Sequence, residues 1–233
     1  MSHTSRILLV STLLAACATA GTVVTANNAG GLPGTAEDLS AIAVTEIQGS
    51  IPVTTDPLAG VNMFLINIID PEFFSAIAVP VTFGIADTDL FLFDSSGNGV
   101  LANDDISFSN TLSCLPSADA GTNPCDSSLP GGLGPVSPGL YYLAISSSAN
   151  YPTSGGNEIF NIQNSTDVVG PALTGSNPVD NFDGNYFTST DTDLVNYDIL
   201  LTGTTPEPST WILACAALGV TAFLRRRSKL KAR

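Results

Sequence analysis

The sequence concentrates its possible chemistry in two neighbouring groups of acidic residues. The segment 94–105 fits most of a calcium loop, because oxygen-bearing side chains stand first, third and fifth, a glycine sixth, an apolar residue eighth and an acid twelfth. Calcium takes about six to eight oxygen ligands, and carboxylates and amides supply them. With two aspartates just upstream, the predicted calcium ligands are Asp87, Asp89, Asp94, Ser96, Asn98, Asp104 and Asp105.

The same segment has a second interpretation as a plain hairpin turn. Gly97 and Asn98 are typical turn residues, and aspartates beside a turn are commonly solvated without binding a metal. The sequence alone supports both interpretations.

The distribution of charge excludes most catalytic and binding chemistry. The chain has 233 residues with 21 acidic and 7 basic side chains, and the basic ones are Arg6 and six residues within 225–233. The single histidine is His3. Residues 7–224 therefore cannot hold nucleic acid phosphates by charge or activate a serine nucleophile with histidine. We predict no nucleic-acid partner and no enzymatic activity, the alternative being a small secreted hydrolase that uses a pair of carboxylates.

Two of the four cysteines are candidates for a disulfide. Cys17 and Cys215 lie in the apolar ends of the chain, which leaves Cys114 and Cys125, eleven positions apart. In an exported chain such a pair predicts one disulfide that closes a small loop. A metal-binding or redox pair is the alternative.

Between its two ends the sequence is typical of a β protein. Short apolar runs rich in β-branched and aromatic residues recur between Gly, Pro, Asn, Asp and Ser, without a sustained helical period. The clearest runs are 41–47, 62–69, 76–83, 90–93, 140–146, 158–162 and 197–202. We predict an all-β fold, with a β-sandwich or jelly-roll-like ectodomain at 39–204 and a flexible lead-in at 21–38.

Three segments carry a resemblance to a known family. At 87–105 an acidic lead precedes the strand L-F-L-F-D, a G-N turn and a strand that ends in N-D-D. The segments 138–145 (PGLYYLAI) and 197–203 (YDILLTG) follow the pattern of two later strands. This order resembles the bacterial pre-peptidase C-terminal domain over roughly 39–203. The resemblance implies a β-sandwich, and members of that family accompany secreted proteases or serve as binding modules, some of which use calcium.

The N-terminus has the pattern of a secretory signal peptide. Arg6 precedes an apolar stretch at 7–16, and residues 18–20 (A-T-A) form a cleavage site for signal peptidase. We predict a signal helix at 1–20. The residues that end at Cys17 also match a lipoprotein lipobox, which is the alternative mode of processing.

The C-terminus combines a Pro-Glu-Pro motif, an uncharged apolar segment at 211–224 and a basic tail at 225–233. This order resembles the PEP-CTERM sorting signal, which we predict at 205–233. The resemblance implies cleavage by an exosortase, with the short apolar helix as an inner-membrane tether before cleavage. A plain membrane anchor is the alternative, although 14 residues of helix span only about 21 Å. The predicted sorting residues are Pro206, Glu207, Pro208, Arg225, Arg226 and Arg227.

Together these features predict an exported, non-enzymatic protein with a calcium-assisted structural or adhesive role. Its expected location is the cell surface or the exopolysaccharide matrix. The expected partners are signal peptidase, exosortase, the membrane before cleavage, and an exopolysaccharide or a surface protein. A glycan- or protein-binding module is the second predicted function.

Overall fold

The computed structural model of the protein describes residues 21–26, 29–52, 56–79, 87–121, 123–125, 127–172, 178–184 and 194–204. All of them belong to one compact unit, Ala20–Thr205. Within these ranges, no helix has the length and apolar character needed to cross a membrane. The predicted signal peptide and sorting signal lie outside the described residues and stay predictions, as do the sorting residues Pro206, Glu207, Pro208, Arg225, Arg226 and Arg227.

The described residues form an all-β structure, which confirms that part of the predicted fold. Turns and a short 3-10 helix at Pro33–Thr35 join the strands. The strands are β1 (Thr22–Thr25), β2 (Glu37–Asp38), β3 (Val44–Pro52), β4 (Val61–Ile68), β5 (Ser75–Val79), β6 (Thr88–Asp94), β7 (Gly99–Asn103), β8 (Cys114–Leu115), β9 (Gly139–Ser147), β10 (Pro152–Ser154), β11 (Asn157–Glu158), β12 (Val168–Val169), β13 (Asn181–Phe182) and β14 (Leu194–Thr202).

The strands are arranged in two large sheets and one small sheet. The six-stranded sheet has the order β12-β7-β6-β9-β4-β2, the five-stranded sheet β1-β3-β14-β5-β8, and the small sheet β11-β10-β13. One hydrophobic core contains side chains of both large sheets, such as Ile47 and Ile199 of the five-stranded sheet and Leu92 and Leu143 of the six-stranded sheet. Two sheets that share a core fit the predicted β-sandwich.

Strand β6 is buried on both faces, which explains its continuous apolar run. Leu90 and Leu92 belong to the core between the large sheets, whereas Phe91 and Phe93 belong to a second core. Successive side chains of a strand point to opposite faces, so a strand covered on both sides is apolar throughout. Phe91 stacks on Phe160 in the second core, with ring centroids 5.8 Å apart.

The structure differs from the prediction of a flexible lead-in at 21–38. Strand β1 pairs in parallel with β3, and β2 pairs in parallel with β4. The reason for β1 is local, because Thr22–Thr25 is a run of β-branched residues, which favour strands. Val24 also packs against the core between the large sheets.

The predicted strand at 158–162 is also different. Strand β11 ends at Glu158, and the next two residues, Ile159 and Phe160, are fully buried in the second core. Their apolar character therefore reflects burial and not an extended ladder.

The predicted disulfide is confirmed. Cys114 and Cys125 are bonded, with their Cα atoms 5.7 Å apart. Cys114 lies in β8, a two-residue strand that pairs with β5 at one edge of the five-stranded sheet. The long segment between β7 and β9 therefore contains an anchored piece of sheet.

Candidate metal centre

The hairpin of β6 and β7 separates the predicted calcium ligands into two groups. Asp94, Ser96 and Asn98 lie at its turn, whereas Asp104 and Asp105 follow the far end of β7. Strand β7 has five residues, so about 17 Å of strand separates the two groups at about 3.4 Å per residue. The linear spacing of a calcium loop therefore does not bring these residues together.

The residues at the turn are satisfied by one another. The Asp94 carboxylate accepts the backbone N–H groups of Ser96 at 2.8 Å and of Asn98 at 2.9 Å, and it accepts the Asn98 side-chain amide at 2.9 Å. Gly97 has a φ of 85°, the left-handed conformation that glycine adopts readily. These residues make the hairpin turn that was the second interpretation of the segment.

Three other predicted ligands do come together. One carboxylate oxygen from each of Asp87, Asp104 and Asp105 lies within 4.8 Å of the other two. Asp87 immediately precedes β6, and the two other aspartates immediately follow β7, its antiparallel neighbour. The start of one strand therefore lies beside the end of the other, and this pairing forms the cluster.

Asp89 is the buried member of the group. Its side chain is 0% exposed, and alternation along β6 places it on the same face as Asp87 and the second core. Ser146, its register partner in β9, donates its hydroxyl to Oδ2 at 3.2 Å. The Asp104 carboxyl lies beside that of Asp89, and this proximity favours the protonated form of Asp89.

One carboxylate oxygen of Asp89 has no hydrogen-bond partner among the described residues. Among the described residues, Asp89 Oδ1 and Asp87 Oδ1 are buried without a hydrogen-bond partner. A buried carboxylate without a partner is strongly unfavourable, so it takes up a proton or is neutralised by a cation.

The other side of Asp104 is fixed by an aromatic residue. The hydroxyl of Tyr151 donates to Asp104 Oδ2 at 2.8 Å, and the Tyr151 ring lies edge-on to Phe91, with centroids 6.4 Å apart. Asp104 itself is 5% exposed. The second core thus positions a carboxylate at its rim.

The pKa values reflect the crowding of these acids. Burial raises the pKa of Asp89 well above its usual range, and the negative charge of Asp104 raises it further. Burial, together with the charges of Asp105 and Asp104, raises the pKa of Asp87 to about 6, although a hydrogen bond with Ser148 opposes the rise. Burial also raises the pKa of Asp105. All three groups would gain from a positive charge placed between them.

None of the described residues can supply that charge, because residues 7–224 contain no lysine, arginine or histidine. No protein-family model and no curated protein matches the chain. The chemistry of the site therefore rests on its own residues. Clustered carboxylate oxygens bind hard divalent cations such as calcium.

Two residues of the site were missed by sequence reasoning. Ser146 and Tyr151 lie more than 40 positions from the acids that they contact. Only the pairing register of β6 with β9 brings Ser146 opposite Asp89, and no local motif signals such a contact.

The raised pKa values predict an unusual dependence of stability on pH. Without a divalent cation, the folded protein binds protons at Asp87 that the unfolded chain has lost, so stability falls as the pH rises from about 4 to about 6. The full shift would amount to roughly 3 kcal/mol. We expect about 1 kcal/mol, because Asp87 is partly exposed and solvent screens its interactions. Melting in a chelator should show a decrease of a few degrees between pH 4.5 and pH 7. A melting temperature that is constant or rises over this interval would contradict the expected burial of the acids.

Proposed function

We propose that this chain is an exported, non-enzymatic β protein that one calcium ion stabilises, with a structural or adhesive role at the cell surface or in the exopolysaccharide matrix. Asp87, Asp104 and Asp105 hold the ion, and the buried carboxyl of Asp89 lies beside Asp104. The observation that carries the proposal is the meeting of three carboxylates, one of which, Asp87, has a buried oxygen that lacks a hydrogen-bond partner among the described residues.

The geometry of the cluster suits calcium. Calcium ligands lie about 2.3 to 2.6 Å from the ion, so two ligands on opposite sides are at most about 5 Å apart. The three clustered oxygens lie within 4.8 Å of one another, which is compatible with one shared ion. Backbone carbonyls and water can complete the coordination, because Asp87 and Asp105 are only partly buried.

Burial of the acids disfavours the alternative of a carboxylate-dependent hydrolase. A catalytic carboxylate must contact the substrate, whereas Asp89 is 0% and Asp104 5% exposed. A structural ion site has no such requirement.

The proposed location rests on the ends of the chain and on the disulfide. The signal peptide and the sorting signal predict export, and the Cys114–Cys125 disulfide is typical of proteins outside the cytoplasm. Exosortase and signal peptidase are the proposed processing partners.

Calorimetric titration of the purified protein with calcium tests the proposal, and Asp94→Ala provides a comparison. We expect the wild-type protein and this variant to bind one calcium ion with the same affinity, because Asp94 lies at the turn and not in the cluster. Loss of the hydrogen bonds at the turn should still lower the free energy of unfolding by about 1 kcal/mol. Absence of binding heat at millimolar calcium would refute the proposal. Loss of binding in the Asp94→Ala variant would show that the ion binds at the turn and not at the cluster.

A further inference from the structure

A short segment that ends at the disulfide contacts the residue between the first pair of acids, Asp87 and Asp89. The backbone N–H of Thr88, which lies between Asp87 and Asp89, donates to the carbonyl of Thr111 at 3.1 Å. The Thr88 hydroxyl is also hydrogen-bonded to the Ser113 hydroxyl at 3.1 Å, and both side chains are 0% exposed. Residues 111–114, the clamp segment, thus fix the start of β6.

The same segment contacts the second pair of acids through Asn103. The side-chain oxygen of Asn103 accepts the backbone N–H of Cys114 at 2.8 Å, and its amide donates to the carbonyl of Asp105 at 3.0 Å. Asn103 is 1% exposed and immediately precedes Asp104. The clamp segment is therefore hydrogen-bonded to Thr88 and Asn103, which lie next to Asp87 and Asp104 in the chain.

The disulfide is the strongest attachment of this segment. Strand β8 has only two residues, and it lies at an edge of the five-stranded sheet. The bond to Cys125 joins it to a loop whose residues Leu129 and Leu133 pack against the core between the large sheets. Without the bond, the segment would keep its pairing with β5 and the burial of Leu115, but it would lose its covalent attachment to this loop.

We infer that the Cys114–Cys125 disulfide controls the affinity of the cation site, with Thr88 and Asn103 as positioning residues. The oxidised protein holds the two pairs of acids at the spacing that calcium requires, whereas the reduced protein does not. This inference rests on the proposed function, because it concerns the regulation of the same site. It makes calcium binding a property that the chain acquires after export, when the disulfide forms.

The coupling must work in both directions. If the disulfide strengthens calcium binding, calcium must protect the disulfide against reduction by the same factor. Reduction by a dithiol transfers two electrons and two protons to the Cys114–Cys125 bond, giving two thiols and a cyclic disulfide of the reagent. The dithiol can reach the bond more easily at Cys125, which is only partly buried, than at Cys114, which is 1% exposed.

Calcium titration of the oxidised and the dithiol-reduced full chain tests the inference. We expect the reduced protein to bind calcium about tenfold more weakly, which is the size of effect that loss of supporting contacts has at metal sites. Calcium should also shift the disulfide equilibrium against the dithiol by the same factor. Equal calcium affinities of the two forms would overturn the inference and leave the proposed function intact, whereas an oxidised protein that binds no calcium would overturn both.

A matched pair of variants keeps the disulfide and covers the case in which the reduced protein unfolds. Ser113→Ala removes the hydroxyl that contacts Thr88, and Ser75→Ala removes a buried hydroxyl that pairs with Thr202 at 2.8 Å, away from the cluster. We expect Ser113→Ala to weaken calcium binding severalfold and Ser75→Ala to leave it unchanged. Equal affinities of the two variants would show that the clamp segment does not position the acids.

Discussion

Asp104→Asn should remove most of the stabilisation by calcium and, at the same time, stabilise the protein in a chelator. Asp104 contributes an oxygen to the cluster and lies beside the buried Asp89 carboxyl. The amide keeps an acceptor for the Tyr151 hydroxyl and can donate to Asp89 without a shared proton. It also removes one of the negative charges that raise the pKa of Asp89.

We expect an affinity for calcium about 100-fold lower in this variant. At a calcium concentration 100 times the wild-type dissociation constant, the stabilisation would fall from about 2.7 to about 0.4 kcal/mol. Melting curves at pH 7.5 with calcium and with a chelator measure both effects. A merely structural role of Asp104 predicts that the variant is less stable than the wild type under both conditions. Lower stability in calcium together with higher stability in the chelator would therefore identify Asp104 as a calcium ligand.

Asp198→Asn is the matched control for this experiment. Asp198 also has a buried oxygen without a partner among the described residues, and burial and the neighbouring Glu46 raise its pKa. It lies in β14 of the five-stranded sheet, outside the acidic cluster. The control variant should keep the full stabilisation by calcium, and a loss of that stabilisation would place the ion elsewhere.

Three strands of the six-stranded sheet, β4, β6 and β9, were predictable because burial on both faces produces continuous apolar runs. The prediction at 62–69 differs by one residue from β4, Val61–Ile68, and the run at 140–146 lies within β9, Gly139–Ser147. Strand β1 was missed because its four residues are mostly exposed and follow a predicted cleavage site. Its parallel pairing with β3 depends on a partner more than 20 positions away.

The sequence predicted that aspartates form the metal centre, but it did not predict which of the aspartates come together. A linear motif treats Asp94 and Asp105 as members of one loop, whereas an extended β7 places them at opposite ends of a strand. The residues that do meet, Asp87 and Asp104, come together through the antiparallel register of β6 and β7. Register is a long-range property, and a one-residue slip would turn these side chains to the other face.

Of the substitutions considered, Gly203→Ala should lower the free energy of unfolding most. Gly203 lies outside the acidic cluster. Gly203 follows β14 with a φ of 71°, and its carbonyl accepts the backbone N–H groups of Ile69 and Asp70. A Cβ atom would lie 2.5 Å from the Asp70 carbonyl oxygen and 2.7 Å from the Phe74 Cα atom. Both contacts are with backbone, so no side chain can move aside to relieve them.

We expect Gly203→Ala to lower the free energy of unfolding by about 3 kcal/mol, of which about 1 kcal/mol is the left-handed conformation and the rest is overpacking. For a domain of this size, the melting temperature should fall by roughly 6 to 12 °C. Gly132→Ala separates the two contributions. Gly132 has a φ of 86°, but apart from its chain neighbours none of the described residues has an atom within 4 Å of its Cβ position. That variant should lose only about 1 kcal/mol, and equal losses in the two variants would show that the turn after β14 moves away from Phe74 at little cost.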